Sequence, residues 1–305
     1  MARRLITAMG AAACLVALAA SPPPTCRSLG KVEERSVNLT SDGLVTFTAD
    51  MDVNTDGALE SYAVDDLGFF GPKLNTRHAL NTICNAVRIR KRGRGSQDAL
   101  VFDHRQCGKL IAEFRRIREA NWAPADGSYV EFYAIALQPG TIRPGKSRGT
   151  PCEHDGFYVS QTARAMNPGV SVCDPEHWID AARIPAIVVP PALVKPRGVD
   201  LFDLVLVRKA GTAEWFPAIV GDTNNKFLGE GTLRLAQQVT GQEARPANYR
   251  AVLAVKPRGD YEYLIFPGSR AQLTSRSNSM APQVAEAATR LRDQFNLSAR
   301  PRLCP

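Results

Sequence analysis

The stretch AIVGDTNNKFLGEGTLRLA, residues Ala218–Ala236, is the most informative part of the sequence for the fold, and it contains two carboxylate side chains. An apolar strand ends at Asp222, a polar turn follows, and Glu230 stands between Gly229 and Gly231 before the next element. A strand–loop–strand unit can present two carboxylates at the edge of a cleft, where one donates a proton and the other assists. The two glycines are expected to let a bulky polysaccharide approach the backbone. The polar residues also suit an ordinary turn, so the motif alone leaves a structural role open.

Hydrophobic patterning around this stretch predicts many short strands and one clear helix. Strands are expected in DGLVTFTADM (42–51), GSYVEFYAIALQPG (127–140), RIPAIVVPPALV (183–194), DLFDLVLVR (200–208) and EWFPAIVGD (214–222). Residues 248–269 suggest a hairpin that turns at 257–260, and residues 232–239 a strand running into a short helix. The helical spacing of Val284, Ala288, Leu291 and Phe295 predicts a terminal amphipathic helix. We therefore predict a β-rich α+β domain on a closed or nearly closed β-barrel, double-psi-like, with peripheral helices.

The N-terminus has the pattern of a signal peptide. A short basic start at Arg3 and Arg4 precedes an apolar run that is too short to span a bilayer, and small residues near Ala19 offer a cleavage site. A buried N-terminal helix and a lipoprotein anchored through Cys14 are the alternatives. We expect a signal peptide over 1–20, a linker over 21–35 and one domain over 36–305. The mature protein is expected to be secreted or periplasmic, with no membrane attachment.

Cysteine usage agrees with export. Removing the signal peptide takes one of the seven cysteines, Cys14, and leaves an even number. Up to three disulfides are expected, with 15 possible pairings for six cysteines. No spacing resembles a CxxC metal site and only four histidines are present, so neither a metal nor another cofactor is predicted.

The formal charge of +8 is unevenly spread along the chain. Seven acids and no Lys or Arg lie between Ser36 and Pro72, whereas ten basic and three acidic residues lie between Arg88 and Arg118. The basic run RIRKRGRG has no interleaved aromatic residues for base stacking, so nucleic acid is not an expected partner. A solvated face, or attraction to an anionic envelope polymer, is expected for this segment.

The acidic segment contains the start of a calcium-loop pattern. Asp52, Asn54, Asp56 and Gly57 match its first positions, but the twelfth position is Ala63 instead of a bidentate Glu. A bound calcium ion therefore stays an alternative to a hydrogen-bonded acidic turn whose side chains face a substrate cleft.

Five motifs in order resemble the glycoside hydrolase family 75 chitosanases, secreted enzymes of fungi and bacteria. They are DMDVNTDGALESYAVDD, GFYVSQT, WIDAARIPAIVVPP, VGDTNNKFLGEGTLRLA and YLIFPGS. The resemblance covers about half of the expected mature chain. The segment of about 88–149 lies largely outside it and is interpreted as a basic insertion.

The resemblance implies endo-hydrolysis of β-1,4-linked glucosamine polymer with inversion at the anomeric carbon. The paired acids of the family correspond to Asp222 and Glu230, which we assign as base and acid respectively. Substrate-binding candidates are Asp50, Asp52, Asp56, Tyr158, Gln161 and Thr162, the acids being able to pair with ammonium groups.

Two observations leave alternatives open. The family pattern commonly continues with Gly-Pro after Gly-Asp-Thr, whereas this chain has Asn224-Asn225-Lys226. A net-basic protein repels a polycation at long range, which favours another envelope glycan unless the acidic segment lines the cleft. A non-catalytic glycan-binding or inhibitor protein on the same fold is the second class of hypothesis.

Trp122, Trp178 and Trp215 are candidates either for sugar stacking or for the core. A monomer is expected.

Overall fold

The structure, a computed structural model, describes residues 25–67, 79–93, 98–142, 148–194, 197–274, 276–299 and 304, and the predicted signal peptide lies outside them. The strands are β1 (Cys26–Val32), β2 (Arg35–Thr40), β3 (Val45–Ala49), β4 (Asp52–Asn54), β5 (Tyr62–Ala63), β6 (Val87–Lys91), β7 (Ala99–Phe102), β8 (Ser128–Phe132), β9 (Glu153–His154), β10 (Phe157–Tyr158), β11 (Ala186–Val189), β12 (Leu204–Lys209), β13 (Phe216–Thr223), β14 (Glu230–Thr232) and β15 (Tyr261–Phe266). The α-helices are α1 (Cys107–Glu119), α2 (Pro191–Val194), α3 (Leu233–Thr240), α4 (Tyr249–Val255) and α5 (Ala281–Gln294). Short 3-10 helices cover Leu59–Ser61, Ile83–Asn85, His104–Gln106, Pro175–His177, Ser269–Gln272 and Leu297–Ala299.

Nine strands form one mixed sheet in the order β1-β2-β3-β15-β12-β13-β11-β14-β4. Neighbours are antiparallel except for two parallel pairs, β11 with β13 and β14 with β4. The central strands are nearly continuous apolar runs: all four residues of β11 and five of the six in β12 are buried. Such runs are typical of strands covered on both faces, which is why the sequence segments around 183–208 predicted strands.

The prediction of a β-rich α+β fold is confirmed, but the described residues form no closed barrel. The sheet ends at β1 on one side and β4 on the other, and these two strands are not paired. Closure would require every strand to pair on both sides, and β4, with three residues, offers little backbone to pair with the seven of β1.

The expected C-terminal helix is confirmed as α5, which packs on β12 and β13. Its buried side chains are Val284, Ala287, Ala288 and Leu291. The segment after Glu230 forms β14 and then α3. The hydroxyl of Thr232 caps α3 by accepting a hydrogen bond from the Leu235 N–H at 3.4 Å.

The hairpin predicted for 248–269 is wrong in its first half, because residues Tyr249–Val255 form α4. The side chain of Asn248 caps this helix by accepting a hydrogen bond from the Ala251 N–H at 3.0 Å. The second half is β15, which pairs with β12 on one side and β3 on the other. No free edge of β15 is left for a hairpin partner.

The segment predicted as a basic insertion contains a second small sheet, β7-β6-β8, covered by α1. Strand β6 alternates buried Val87 and Ile89 with the more exposed Arg88 and Arg90, so its basic residues lie on the outer face. This unit surrounds its own hydrophobic core, which includes Phe114 of α1. The remaining sheet, β5-β10-β9, contributes Tyr62 and Tyr158 to this second core.

Three disulfides join Cys26 to Cys304, Cys84 to Cys107 and Cys152 to Cys173. Disulfides form and persist in oxidising compartments, which agrees with the expectation of export. The first of them joins Cys304, near the C-terminus, to β1. Strand β1 lies within the segment predicted as a linker and pairs with β2, so part of that segment belongs to the sheet. None of the described helices has the length and hydropathy of a membrane span.

Candidate active site

Asp222 and Glu230 are carried by two strands that lie on either side of β11. Val188 of β11 is in register with Asp222 of β13 on one side and with Glu230 of β14 on the other. Residues in register on neighbouring strands project from the same face of a sheet. The two carboxyl groups therefore share one face, and their backbones stand two strand spacings apart, ~9–10 Å.

The loop 224–229 crosses over the end of β11 to connect the two strands. Strand β11 is parallel to β13 and antiparallel to β14, so the motif is a wide hairpin with another strand inserted between its arms. The backbone N–H of Asn224 donates to the carbonyl of Val189 at 3.3 Å, which fixes the loop to the end of β11. This inserted strand is the reason why two acids eight positions apart do not meet directly.

A β-bulge at Gly221 sets the direction of the Asp222 side chain. Ile187 pairs with Val220 but Val188 pairs with Asp222, so Gly221 is the extra residue on β13. A Cβ at Gly221 would lie 2.6 Å from the Cβ of Ala186, which is closer than real side chains approach. Bulges re-aim side chains next to functional sites, and here the sequence Gly-Asp supplies both the small residue and the acid.

Asp222 has one engaged carboxyl oxygen and one that has no hydrogen-bond partner among the described residues. Its Oδ1 accepts hydrogen bonds from the backbone N–H groups of Ala163 at 2.6 Å and Thr223 at 2.8 Å. Burial raises the pKa of Asp222 to about 7, the two backbone hydrogen bonds oppose this shift, and the charge of Glu230 adds to it. A carboxyl group that titrates near neutral pH and has a free Oδ2 is suited to deliver a proton.

Glu230 has both carboxyl oxygens engaged as hydrogen-bond acceptors. Its Oε1 accepts from the Nδ2 of Asn54 at 2.6 Å, and its Oε2 accepts from the Nδ2 of Asn224 at 2.9 Å. Acceptance at both oxygens suits the ionised form, which has no proton to donate. The hydrogen bonds therefore favour Asp222 as the acid and Glu230 as the base, the opposite of the assignment made from the sequence.

Asp56 is a third carboxyl group beside Asp222 and Glu230, and these three acids with the side chains that contact them are called the cluster. Its Oδ1 accepts a hydrogen bond from the Tyr62 hydroxyl, which in turn accepts from Asn81 Nδ2 at 3.3 Å. Burial raises the pKa of Asp56 well above its usual range, the Tyr62 hydrogen bond lowers it, and the charges of Asp222 and Glu230 raise it further. Asp56 was predicted to bind substrate, and the structure brings it together with the two acids.

Gly229 and Gly231 have a different role from the one expected. Gly229 has φ +89°, and a Cβ there would lie 2.2 Å from the carbonyl oxygen of Asp50. A Cβ at Gly231 would lie 3.1 Å from the Sδ of Met51. The space beside both glycines is filled by the chain leading into β4, so they allow close packing of β14 and not the approach of a polysaccharide.

Asp50 and Asp52 lie at the edge of the cluster and already have cationic partners. Asp50 forms an ion pair with Arg35 at 3.1 Å, and Asp52, in register with Glu230 across β4 and β14, forms one with Lys256. Both acids are about half-exposed or more, at 49% and 66% of the side chain, so the pairs lie in solvent. A cationic ligand would have to exchange with these side chains.

The residues that match the start of a calcium-loop pattern form hydrogen bonds and ion pairs with different partners. Asn54 binds Glu230 and accepts from the Asp56 N–H at 2.5 Å, Asp56 binds Tyr62, and Asp52 pairs with Lys256. Within the described ranges, no group of three His, Cys, Asp or Glu side chains is arranged to hold a metal ion. Asp52, Asn54 and Asp56 therefore each have a protein partner in the structure.

The three candidates from GFYVSQT have unequal positions. Tyr158 is fully buried in the second core, and its hydroxyl lies 3.3 Å from the Arg118 guanidinium, so it is placed as a core residue and not to touch a substrate. Thr162 is buried and holds the loop by donating to the Arg164 carbonyl at 3.1 Å. Gln161 is partly exposed and donates to the Tyr133 carbonyl at 3.3 Å, next to the Ala163 N–H that binds Asp222.

All three tryptophans pack against protein. Trp122 lies edge-on to Phe114 with ring centroids 5.4 Å apart, and Trp178 donates through Nε1 to the Val172 carbonyl at 2.9 Å. Trp215 is 8% exposed and lies under the Arg208 guanidinium. Trp215 is therefore a core residue, whereas Trp122 and Trp178 are partly exposed and both roles stay open for them.

Sequence reasoning missed several residues of the cluster. Asn54 was considered only for calcium, Asn224 only as a departure from the family pattern, and Tyr62 and Tyr133 were not considered. Tyr133 is 40% exposed, and the pKa of its hydroxyl is raised by burial and then by the charge of Asp56. The sequence feature that could have pointed to Asn54, Tyr62 and Asn224 is their position inside the quoted motifs.

Comparison with models of known protein families and with curated proteins gives no match. The resemblance to the chitosanase family therefore stays an expectation that rests on the motifs.

Proposed function

We propose that the chain is an exported glycoside hydrolase that cleaves β-1,4-linked glucosamine polymer internally and with inversion, as a divergent relative of the family 75 chitosanases. The observation that carries the proposal is the position of Asp222 and Glu230 in register on either side of Val188. An inverting pair stands ~6.5–9.5 Å apart so that water fits beside the sugar, and a retaining pair ~5–5.5 Å. With β11 between them, the two acids do not stand on adjacent strands, which supports the wider spacing of the inverting class.

In the proposed reaction Asp222 protonates the glycosidic oxygen through its free Oδ2. Glu230 accepts a proton from water, whose oxygen forms a bond to the anomeric carbon as the bond from that carbon to the leaving oxygen breaks. Asp222 is thereby left ionised and Glu230 protonated, and solvent exchange restores both groups for the next cycle. The pKa of about 7 for Asp222, which burial raises, supports its role as acid.

The charge around the cluster supports a cationic substrate. Among the described residues, no basic side chain stabilises the ionised form of Asp56 or Asp222, and the charges that act on their pKa values are those of other carboxyl groups. An ammonium group of a glucosamine unit would supply the missing opposite charge. The positive net charge opposes this only weakly, because fields beyond ~10 Å are largely screened at moderate salt.

The finer fold assignment belongs to the same proposal. Strand β11 is inserted between β13 and β14, the arms of a wide hairpin, and this arrangement is a psi-type element. It supports a relationship to double-psi barrels, in which this sheet would be a barrel that is open between its end strands β1 and β4. Export to the periplasm or medium is supported by the three disulfides.

The test is incubation of the mature protein with chitosan, chitin and partly deacetylated peptidoglycan, with measurement of new reducing ends. Release from chitosan with the α-anomer formed first, seen by proton NMR, is the expected result. Release only from peptidoglycan would move the proposal to another envelope glycan. Binding of glucosamine oligomers without new reducing ends would favour the glycan-binding alternative, and a β-anomer would contradict inversion.

A further inference from the structure

We infer that Asn54 and Asn224 form an amide clamp that positions Glu230 as the catalytic base, with Asn224 as a positioning residue particular to this chain. The inference rests on the proposed function. Each amide donates to a different oxygen of Glu230, Asn54 to Oε1 at 2.6 Å and Asn224 to Oε2 at 2.9 Å. Two donors on two oxygens fix the plane of the carboxyl group as well as its position.

Both amides are themselves held by backbone groups. The Oδ1 of Asn54 accepts from the Asp56 N–H at 2.5 Å, and the Oδ1 of Asn224 accepts from the Phe227 N–H at 3.0 Å. These contacts assign the oxygen and nitrogen ends of each amide, because the oxygen must face a donor. The Nδ2 of Asn224 donates one hydrogen to the Phe227 carbonyl at 2.9 Å and the other to Glu230, so this amide is held at both ends before any substrate arrives.

Asn224 occupies the place where the sequence departs from the family pattern. In the turn, Asn224 accepts from the Phe227 N–H through Oδ1 and donates to the Phe227 carbonyl through Nδ2 at 2.9 Å, and Asp keeps only the first of these contacts. A residue that positions Glu230 also needs the Nδ2 donor, which Asp lacks. Asn224→Asp therefore removes one turn contact and the Glu230 contact together, and a second change at Glu230 is needed to separate the two roles.

The charges that face Glu230 are few and can be named. Asp222 and Asp56 interact with Glu230 electrostatically, and the charge of Glu230 also acts on the Tyr62 hydroxyl. Asp52 of β4 is in register with Glu230 and is paired with Lys256. A carboxylate at position 224 would add one more negative charge in direct contact with Glu230. Like charges disfavour ionisation, so the base would be protonated up to higher pH.

The first test compares Asn224→Asp with Asn225→Asp, a change of equal charge at the next, exposed position of the same loop. We expect Asn224→Asp to lower kcat roughly 10- to 100-fold, as misplacement of a catalytic group does. We expect KM to stay nearly constant and the acidic limb of the pH–kcat profile to move up by about one pH unit. Asn225→Asp should leave kcat and the acidic limb unchanged. Equal profiles for the two variants would overturn the inference.

The second test does not depend on activity and uses Asn224→Asp, Glu230→Gln and the double variant. At pH 7 we expect Asn224→Asp to lower Tm by about 2–4 °C, the scale of one kcal/mol in a domain of this size. In the Glu230→Gln background the loss should shrink to the part caused by the lost Phe227 contact, because the repulsion has been removed. The same loss in both backgrounds would overturn the clamp. A wild type without hydrolytic activity would remove the proposed function, while this cycle would still report on the clamp.

Discussion

Asp222→Asn is expected to inactivate the protein and to stabilise it at and above neutral pH. The Oδ1 of Asn can accept the same hydrogen bonds from Ala163 and Thr223 as the carboxyl oxygen does. The Nδ2 takes the place of the protonated Oδ2, so the amide imitates the neutral acid. The amide cannot transfer a proton to a leaving group, and a loss of activity of roughly 10²- to 10⁴-fold follows.

The size and sign of the stability change follow from the pKa of Asp222, which burial raises to about 7. The unfolded chain releases this proton near pH 3.9, so between about pH 4 and pH 7 the native state holds a proton that the unfolded state has lost. Stability of the wild type therefore falls as the pH rises through this window, and the full penalty is present above it. The pKa difference of about three units between the folded and unfolded states, at ~1.36 kcal/mol per unit, gives about 4 kcal/mol as an upper bound on this loss of stability. Asn avoids this penalty.

Chemical denaturation of both proteins from pH 4 to pH 8.5 measures the effect. The stability advantage of Asp222→Asn should be near zero at pH 4 and reach about 2–4 kcal/mol at pH 8, within the bound set by the pKa shift. Asp260→Asn is the matched control, since Asp260 is exposed in a turn and loses the same charge. A difference that does not change with pH, or a wild type that is the more stable protein at pH 8, would refute the reasoning.

Three further changes test the framework around the site. Gly221→Ala should cost about 1–3 kcal/mol of stability by denaturation, because its Cβ would clash with Ala186, and Ala186→Gly in the same chain should restore part of it. Joint replacement of Cys152 and Cys173 by Ser should cost about 3 kcal/mol, the chain-entropy value for a loop of this size. Asp52→Asn should change stability by less than about 1 kcal/mol, since its ion pair is exposed. The same change should lower kcat/KM on chitosan more than on neutral chitin oligomers, and an equal loss on both would exclude a role in recognising charge.

The parts of the fold that the sequence predicted are those with a local signal. Strands β11, β12 and β13 are apolar runs of strand length, and α5 repeats apolar residues at helical spacing. The hairpin over 248–269 failed because the pairing of β15 is decided by strands far away in the sequence. The barrel failed for the same reason, since closure depends on which strands become edges and no residue pattern states this.

The candidate site was predictable only as far as its motifs reach. The two acids stood out because both lie in one short stretch, and their separation by β11 was not visible there. The contact between Asn54 and Glu230 joins residues 176 positions apart, and burial, which sets the pKa of Asp222, depends on the whole fold. The proposed acid and base roles rest on these contacts.

The distribution of charge in space differs from its distribution along the chain, and this bears on the choice of substrate. The acidic segment between Ser36 and Pro72 has no basic residue, but the fold supplies cations to its surface acids from elsewhere. These ion pairs are Arg35–Asp50, Lys256–Asp52 and Arg245–Glu60. Asp56 differs from these three acids, because its partner is the neutral hydroxyl of Tyr62 and burial raises its pKa well above the usual range. A cationic group beside Asp56 and Asp222 would favour their ionised forms, so a cationic sugar would be recognised by these two acids and not by the three ion-paired acids.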